Sequence, residues 1–438
     1  MVYLQLLVVL GAIFLGVRMG GIGLGVTGGA GLFILTFVFG LKPGHAPIDV
    51  ILIIISVITA SAALQSARGL DYMVGIAARF LRRNPRHIVL LAPLVGWLST
   101  FLAGTGFIAL ALMPIVVEVA EKTGIRPERP LAGLTVASQN AIVACPVSAA
   151  TVALATVLAP HGVALTDIIM ISIPATLIGA LAGSLVMLRY GRDLADDPVY
   201  RHRLASGGIA RPQAAGVQAL PRTAAWSVYG FLFTVALIVL LAAMPQLRPA
   251  WQGAKGLEPV AMVDVIQMCM LSYSALAVLL CKADLQAMVS GSMFRSGAVA
   301  AVTILGAAWM SDTFIQANLP LFQHNIVSII HQAPWLFAFA VFTMAVILFS
   351  QGATTKVMMP LGVSLGLAAP TLIAIFPAVV GVYVLPSYPS LIAAVEMDYT
   401  GSTRIGRWVF NHSFILPGLA TTAASIAAGF ALMALRGV

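Results

Sequence analysis

Apolar runs of about 20 residues follow one another along nearly the whole chain, parted by short polar stretches in which arginine recurs. That length matches a bilayer's hydrocarbon thickness at about 1.5 Å of rise per helical residue. The runs lie near residues 3–17, 20–40, 48–66, 131–158, 164–188, 225–244, 261–281, from Arg295 through Asp312, from Thr371 to about Tyr399, and to a last one ending near Leu435. Two further stretches are interrupted in the middle. His87 to Glu121 turns around Ala103-Gly104-Thr105-Gly106, and Pro334 to Leu367 turns around Ser350-Gln351-Gly352-Ala353-Thr354-Thr355. Polar, glycine-bearing breaks at matching places in two halves of a membrane chain point to the midplane binding site of a secondary transporter.

Basic loops orient the runs. Arg18; then Arg68, Arg79, Arg82, Arg83 and Arg86; then Lys122, Arg126 and Arg129 each follow an apolar run. Both ends of the first interrupted stretch thereby fall on the cytoplasmic face, so it enters and leaves on one side. Its roughly 35 residues supply two half-depth helices of about 15 residues each. The predicted architecture is an all-α polytopic membrane protein of about ten spans and two re-entrant hairpins, 87–121 and 334–367. Residues 1–188 and 223–438 form two inverted repeats joined by a cytoplasmic linker, 189–222, which carries Arg192, Arg201, Arg203, Arg211 and Arg222 among proline, glycine and alanine. Both termini are predicted outside. The first apolar run has no basic region ahead of it and reads as a span rather than a cleaved signal.

Composition agrees: 60% of residues are hydrophobic, 9% are charged, and the mean hydropathy is +1.00. A soluble protein of this length has no way to bury so much apolar surface. The net charge of +9 sits in short loops between apolar runs, the positive-inside pattern rather than a nucleic-acid footprint. Cys145, Cys269 and Cys281 have no paired spacing, so neither a disulfide framework nor a metal site follows. No cofactor is called for. Gly23-Leu24-Gly25-Val26-Thr27-Gly28 matches a dinucleotide fingerprint in letters only, since no strand precedes it. Close helix packing through Gly21, Gly25 and Gly29 accounts for these glycines better.

The candidate chemistry is anion binding without a formal catalyst. Gly104, Thr105 and Gly106 at the first tip offer backbone N–H groups and a hydroxyl. Ser350, Gln351, Gly352, Thr354, Thr355 and Lys356 do so at the second. Proline opens the ladder of the two following runs, adding Ser138, Gln139, Asn140 and Ser148 from the first and Ser387 from the second. Lys356 is either a functional intramembrane cation or a lysine that snorkels to an interface. Ser402, Thr403 and Arg404, beside Asp398, are either a substrate or coupling-ion site or a helix-end ion pair at the cytoplasmic surface. Asp312 is either a proton carrier or a helix-end cap.

Jointly, Gly69-Leu70-Asp71-Tyr72, Leu81-Arg82-Arg83-Asn84-Pro85, Ala103-Gly104-Thr105-Gly106, Gln351-Gly352-Ala353-Thr354-Thr355-Lys356, Met359-Pro360-Leu361-Gly362, Thr400-Gly401-Ser402-Thr403-Arg404-Ile405-Gly406 and Asn411-His412-Ser413-Phe414 resemble the Dcu family of anaerobic four-carbon dicarboxylate transporters over essentially the whole chain. The resemblance implies exchange of fumarate, succinate, malate or aspartate across the bacterial inner membrane, and an elevator-type ion-transporter fold working as a homodimer. One departure is Phe107, where the family commonly has asparagine after the Gly-Thr-Gly turn. Two other classes stay open. An intramembrane enzyme needs a nucleophile with a base or paired acids within the spans, whereas His87, His161, His202, His324 and His331 fall mostly in loops or at edges. A membrane partner of a sensor kinase leaves no necessary mark on sequence.

Overall fold

A computed structural model describes residues 1–19, 22–46, 48–106, 108–206, 220–253, 256–318, 334–348, 350–385, 388–406 and 411–436. In chain order the helices are α1 (Val2–Met19), α2 (Gly23–Phe37), α3 (Ile48–Ser66), α4 (Gly69–Arg83), α5 (Ile88–Ala103), α6 (Ile108–Lys122), α7 (Glu128–Ala141), α8 (Ala149–Leu158), α9 (Leu165–Met187), α10 (Pro198–Ala205), α11 (Arg222–Ala243), α12 (Met262–Cys281), α13 (Leu285–Ser290) and α14 (Ser292–Thr303). A π-helical stretch, Ile304–Ala308, prolongs α14 to residue 318. There follow α15 (Pro334–Leu348), α16 (Gln351–Ser364), α17 (Ala369–Ile375) with a 3₁₀ continuation over Phe376–Tyr383, α18 (Pro389–Met397) and α19 (Ile415–Leu435). One small antiparallel hairpin, Ala250–Gly253 with Gly256–Pro259, joins α11 to α12.

Among the described residues six helices are long and apolar enough to cross a membrane, and the bent pair α3 and α4, which meet at 69°, raises this to seven. One of the six, Pro85–Ala103, is the first half of the expected first hairpin. The expected ten crossings therefore also require the shorter α1 and α2 and two broken helices. One break separates α7 from α8, and the other separates the 3₁₀ stretch from α18.

Small residues set the closest helix crossings. Gly25 and Gly28 of α2 lie directly on the backbone of Val302, Thr303 and Ala307, and Gly306 faces Gly25, so a methyl group at any of the three would overlap main chain. Packing glycines were expected here, but the packing pair is Gly25 and Gly28. Gly29 faces open space, and Gly21 lies outside the described residues. At the second crossing Gly179 and Gly183 of α9 admit Ser425 and Thr421 of α19. The largest buried cluster joins Val143, Ala150 and Leu154 of the first half to Phe337, Val341, Ala353 and Val357 of the second. The second interrupted stretch thus shares a core with the run that follows the first.

The linker is less loose than its composition predicts. Residues 207–219 lie outside the described residues, but α10 is docked. Asp197 caps its first turn and pairs with Arg126 at 2.5 Å, Tyr200 donates to Glu121 at 3.3 Å, and Arg203 donates to the Tyr399 carbonyl at 3.0 Å.

Candidate functional site

Four helices begin at one cavity of about 560 Å³. Gly104, Thr105 and Gly106 reach it just ahead of α6, Ser148 to Ala150 at the start of α8, Ser350 to Gly352 at the start of α16, and Tyr388 to Ser390 at the start of α18. Ser61, Met293 and Thr303 face them from α3 and α14, among aliphatic side chains. None of the described residues that line the cavity carries a charge. Each helix start presents unpaired N–H groups and about half a positive charge, so the four together offer on the order of two charges without a cation.

The local sequence explains each start. Gly104 ends α5 at φ 73°, a left-handed conformation that disfavours a side chain, with its N–H on the Thr100 carbonyl at 2.9 Å. Ser148 caps α8, accepting from Thr151 N at 3.2 Å, while its own hydroxyl donates at 2.6 Å to the Ile142 carbonyl left open by the break. Ser350 caps α16 in the same way through Ala353 N at 3.2 Å. In α18, Pro389 occupies a first-turn position where an N–H would have no helical partner anyway. Gly352 lies against the start of α8, with room for a methyl group at 3.6 Å from the Ala149 side chain.

Glutamine amides tie two of these starts together and lie against a third. Gln351 Nε2 donates to Gln139 Oε1 at 2.9 Å, and Gln139 Nε2 reaches Ser390 Oγ at 3.5 Å. A methyl group at Gly106 would stand 2.7 Å from Gln139 Nε2, so the first tip is cut away to let this amide through. Thr105 reaches across to the Met293 sulfur at 3.8 Å.

Three comparisons bear on this arrangement. A family described as "Anaerobic c4-dicarboxylate membrane transporter" matches residues 1–436. The chain belongs to that family. It is 43% identical to the C4-dicarboxylate transporter DcuA of Wolinella succinogenes over 98% of each chain, and 40% identical to DcuA of Escherichia coli K12 over 99% of each. The anaerobic C4-dicarboxylate transporter DcuB of Escherichia coli O6:H1 is 39% identical, again over 99% of each. Among solved structures, the YdaH transporter of Alcanivorax borkumensis, described as having an unusual topology, has the same fold at a TM-score of 0.53 and 17% identity. That match covers 93% of this chain and 88% of the other. The chain is thus a multi-pass membrane protein of a transporter family, and not an enzyme.

Of the residues expected at the site, Gly104, Thr105, Gly106, Gln139, Ser148, Ser350, Gln351 and Gly352 meet in the cavity. Ser387 and Phe107 lie outside the described residues. The others are elsewhere. Ser138 pairs with Thr100 at 2.6 Å, and Asn140 donates to the Thr176 carbonyl at 3.0 Å and to Ser425 at 3.1 Å, so both join helices rather than line the cavity. Thr354 and Thr355 turn their hydroxyls back onto the Ser350 and Gln351 carbonyls at 2.8 and 2.7 Å. Lys356 lies on another face of α16, beside Asp312. Asp312 accepts the His45 N–H at 2.8 Å and pins a loop.

Asp398, Ser402, Thr403 and Arg404 form a separate knot beside the basic loops. Asp398 accepts from Thr400 N at 3.0 Å, Thr400 Oγ1 at 2.5 Å, Ser402 Oγ at 2.8 Å and Thr403 N at 2.6 Å, which occupies the carboxylate with its own loop. Arg126 pairs with Glu128 and Asp197, each at 2.5 Å, and also donates to the Ser402 carbonyl at 3.3 Å. Arg404 is exposed and bonded through its backbone to Ser413. Sequence reasoning missed Tyr388 and Ser390 as lining residues. The signal was present, because Ser390 follows a proline that opens a helix.

Proposed function

We propose that the protein is a secondary carrier that exchanges four-carbon dicarboxylates, fumarate, succinate, malate or aspartate, across the bacterial inner membrane by alternating access. The observation that carries this reading is the convergence of four helix starts on one cavity with an uncharged described lining. A dianion needs its charge met inside a low-dielectric site. Fixed N–H dipoles meet it without locking the ligand in as a buried ammonium or guanidinium would, and a carrier must release what it binds. The Gln139–Gln351 amides and the hydroxyls of Thr105, Ser350 and Ser390 add directional donors for the two carboxylates. The family relatives, named as C4-dicarboxylate transporters, support the same substrate class.

The proposal includes ten crossings, two re-entrant hairpins in inverted repeats, elevator motion, both termini in the periplasm and a homodimeric assembly. Light scattering on detergent-purified protein tests the last of these. Counterflow tests the function: proteoliposomes loaded with unlabelled succinate, aspartate, citrate or buffer receive labelled fumarate outside. Rapid uptake that depends on an internal four-carbon diacid is the expected result. Uptake that ignores internal diacid but follows an imposed proton or sodium gradient replaces exchange with symport. No uptake by well-folded protein under any gradient overturns the dicarboxylate reading.

A further inference from the structure

Lys356 is a half-buried residue, with its Nζ shielded from solvent, that the proposed site does not use. It lies on α16, five residues after Gln351 and so about 140° around the helix from that side chain. Its Nζ has no hydrogen-bond partner among the described residues. It opens instead on a separate cavity of about 20 Å³, shared with Asp312, Gln316, Pro360 and Ser364. That is room for about one water molecule and none for a diacid. A buried ammonium with no partner costs several kcal/mol, so its persistence calls for a partner at some stage.

Among the described residues that line this small cavity, Asp312 is the one acidic group. Its Oδ2 takes the His45 N–H at 2.8 Å, and a carboxylate accepts about four hydrogen bonds, which leaves capacity for an ammonium. Asp312 is also held in place. Thr313 Oγ1 accepts the Gly44 N–H at 3.0 Å, Trp309 Nε1 donates to the Gly44 carbonyl at 2.9 Å, and the π-helical stretch just before them is pressed on α2 through Gly25, Gly28 and Gly306. Lys356 belongs to the other side of the seam, on the helix whose first residues line the proposed site. A carboxylate held in place therefore shares a small cavity with a long-chained cation on the neighbouring helix.

We propose that Lys356 and Asp312 are the two halves of a switching ion pair across the seam between α16 and the 309–318 segment, apart in this conformation and closed at another stage of the cycle. The pair sets how readily the second hairpin moves past that segment, an inference that rests on the carrier reading. Reconstituted wild type in the counterflow assay first tests the carrier reading itself. The variants Lys356→Met and Asp312→Asn then lower the initial exchange rate by roughly tenfold, in the range of coupled conformational elements, with the half-saturating fumarate concentration unchanged. The double exchange Lys356→Asp with Asp312→Lys restores most of the rate. A wild-type rate in Lys356→Met, or a charge exchange no better than the single variants, overturns the pair.

A second readout needs no transport and covers single variants that fail to fold. Asp312→Cys with Lys356→Cys, in a chain whose Cys145, Cys269 and Cys281 have been replaced, is joined in membranes by a thiol-to-thiol reagent as long as the Lys356 side chain if the seam closes, a disulfide being too short to replace the pair. Absence of that cross-link in folded protein overturns the proposal even if counterflow succeeds. Formation of the cross-link supports it even if the substrate is not a dicarboxylate.

Discussion

Two polar regions of this molecule are built from opposite materials. The cavity where four helices start is lined, among the described residues, by glycines, amides and hydroxyls and by no charge. The knot beside the basic loops holds Arg126, Glu128, Asp197 and Asp398, each nearly sealed from solvent and each fully engaged with protein. Formal charges here brace loops, while the region suited to a moving anion relies on dipoles. The physical reason is reversibility. A buried ion pair is costly to open, whereas helix starts hold an anion with a field that does not have to be dismantled at release.

Breaking the knot gives the largest effect. Arg126→Ala leaves the Glu128 and Asp197 carboxylates buried and unpaired, and the fold loses about 3–5 kcal/mol. The expected outcome is little monodisperse protein in detergent, read by size-exclusion chromatography. A variant with wild-type yield and thermal midpoint would show that the knot is not a brace. Next comes the cavity itself. Gln351→Ala strands the Gln139 amide at a cost of about 1–3 kcal/mol, and because that amide lines the cavity the loss is expected in exchange rate rather than in folding. Normal counterflow in Gln351→Ala would remove the glutamine pair from the site. Ser350→Ala ranks third. It removes a helix cap worth about 1 kcal/mol and slackens one of the four starts, so exchange falls several-fold while the thermal midpoint shifts only slightly.

Much of this was legible in the sequence, for definite reasons. The two interrupted stretches and their tips stand out because glycine and hydroxyl residues are conspicuous inside apolar runs, and both tips do meet in one cavity. Gln139 and Ser148 were legible for a related reason, since proline opens the run that carries them. What misled was reading residue type without helical phase. Thr354, Thr355 and Lys356 look like a continuous polar tip, yet α16 already begins at Gln351. The next turn folds the threonine hydroxyls onto carbonyls one turn back and carries Lys356 to a different face. Asp398 misled in another way. A carboxylate beside Gly-Ser-Thr resembles a ligand site, and only the folded loop reveals that the same donors satisfy it from within.

Thr354 offers the smallest expected effect on exchange and the sharpest separation of tip from helix. It lies two residues beyond Gly352 and is fully buried, and its hydroxyl is spent on the Ser350 carbonyl at 2.8 Å. The back-bond itself adds little to a helix, but the lost methyl group is buried, so Thr354→Ala is expected to cost about 1 kcal/mol in stability and almost nothing in exchange. Thr354→Val is the stricter form, because it keeps the branched shape and removes only the hydroxyl. If the site consists of helix starts, both variants exchange fumarate at close to the wild-type rate while Ser350→Ala does not. If instead the threonine hydroxyl turns inward to a carboxylate during binding, Thr354→Val raises the half-saturating concentration while Ser350→Ala leaves it unchanged. Measuring that constant for the three variants side by side decides whether the second hairpin contributes its backbone or its side chains.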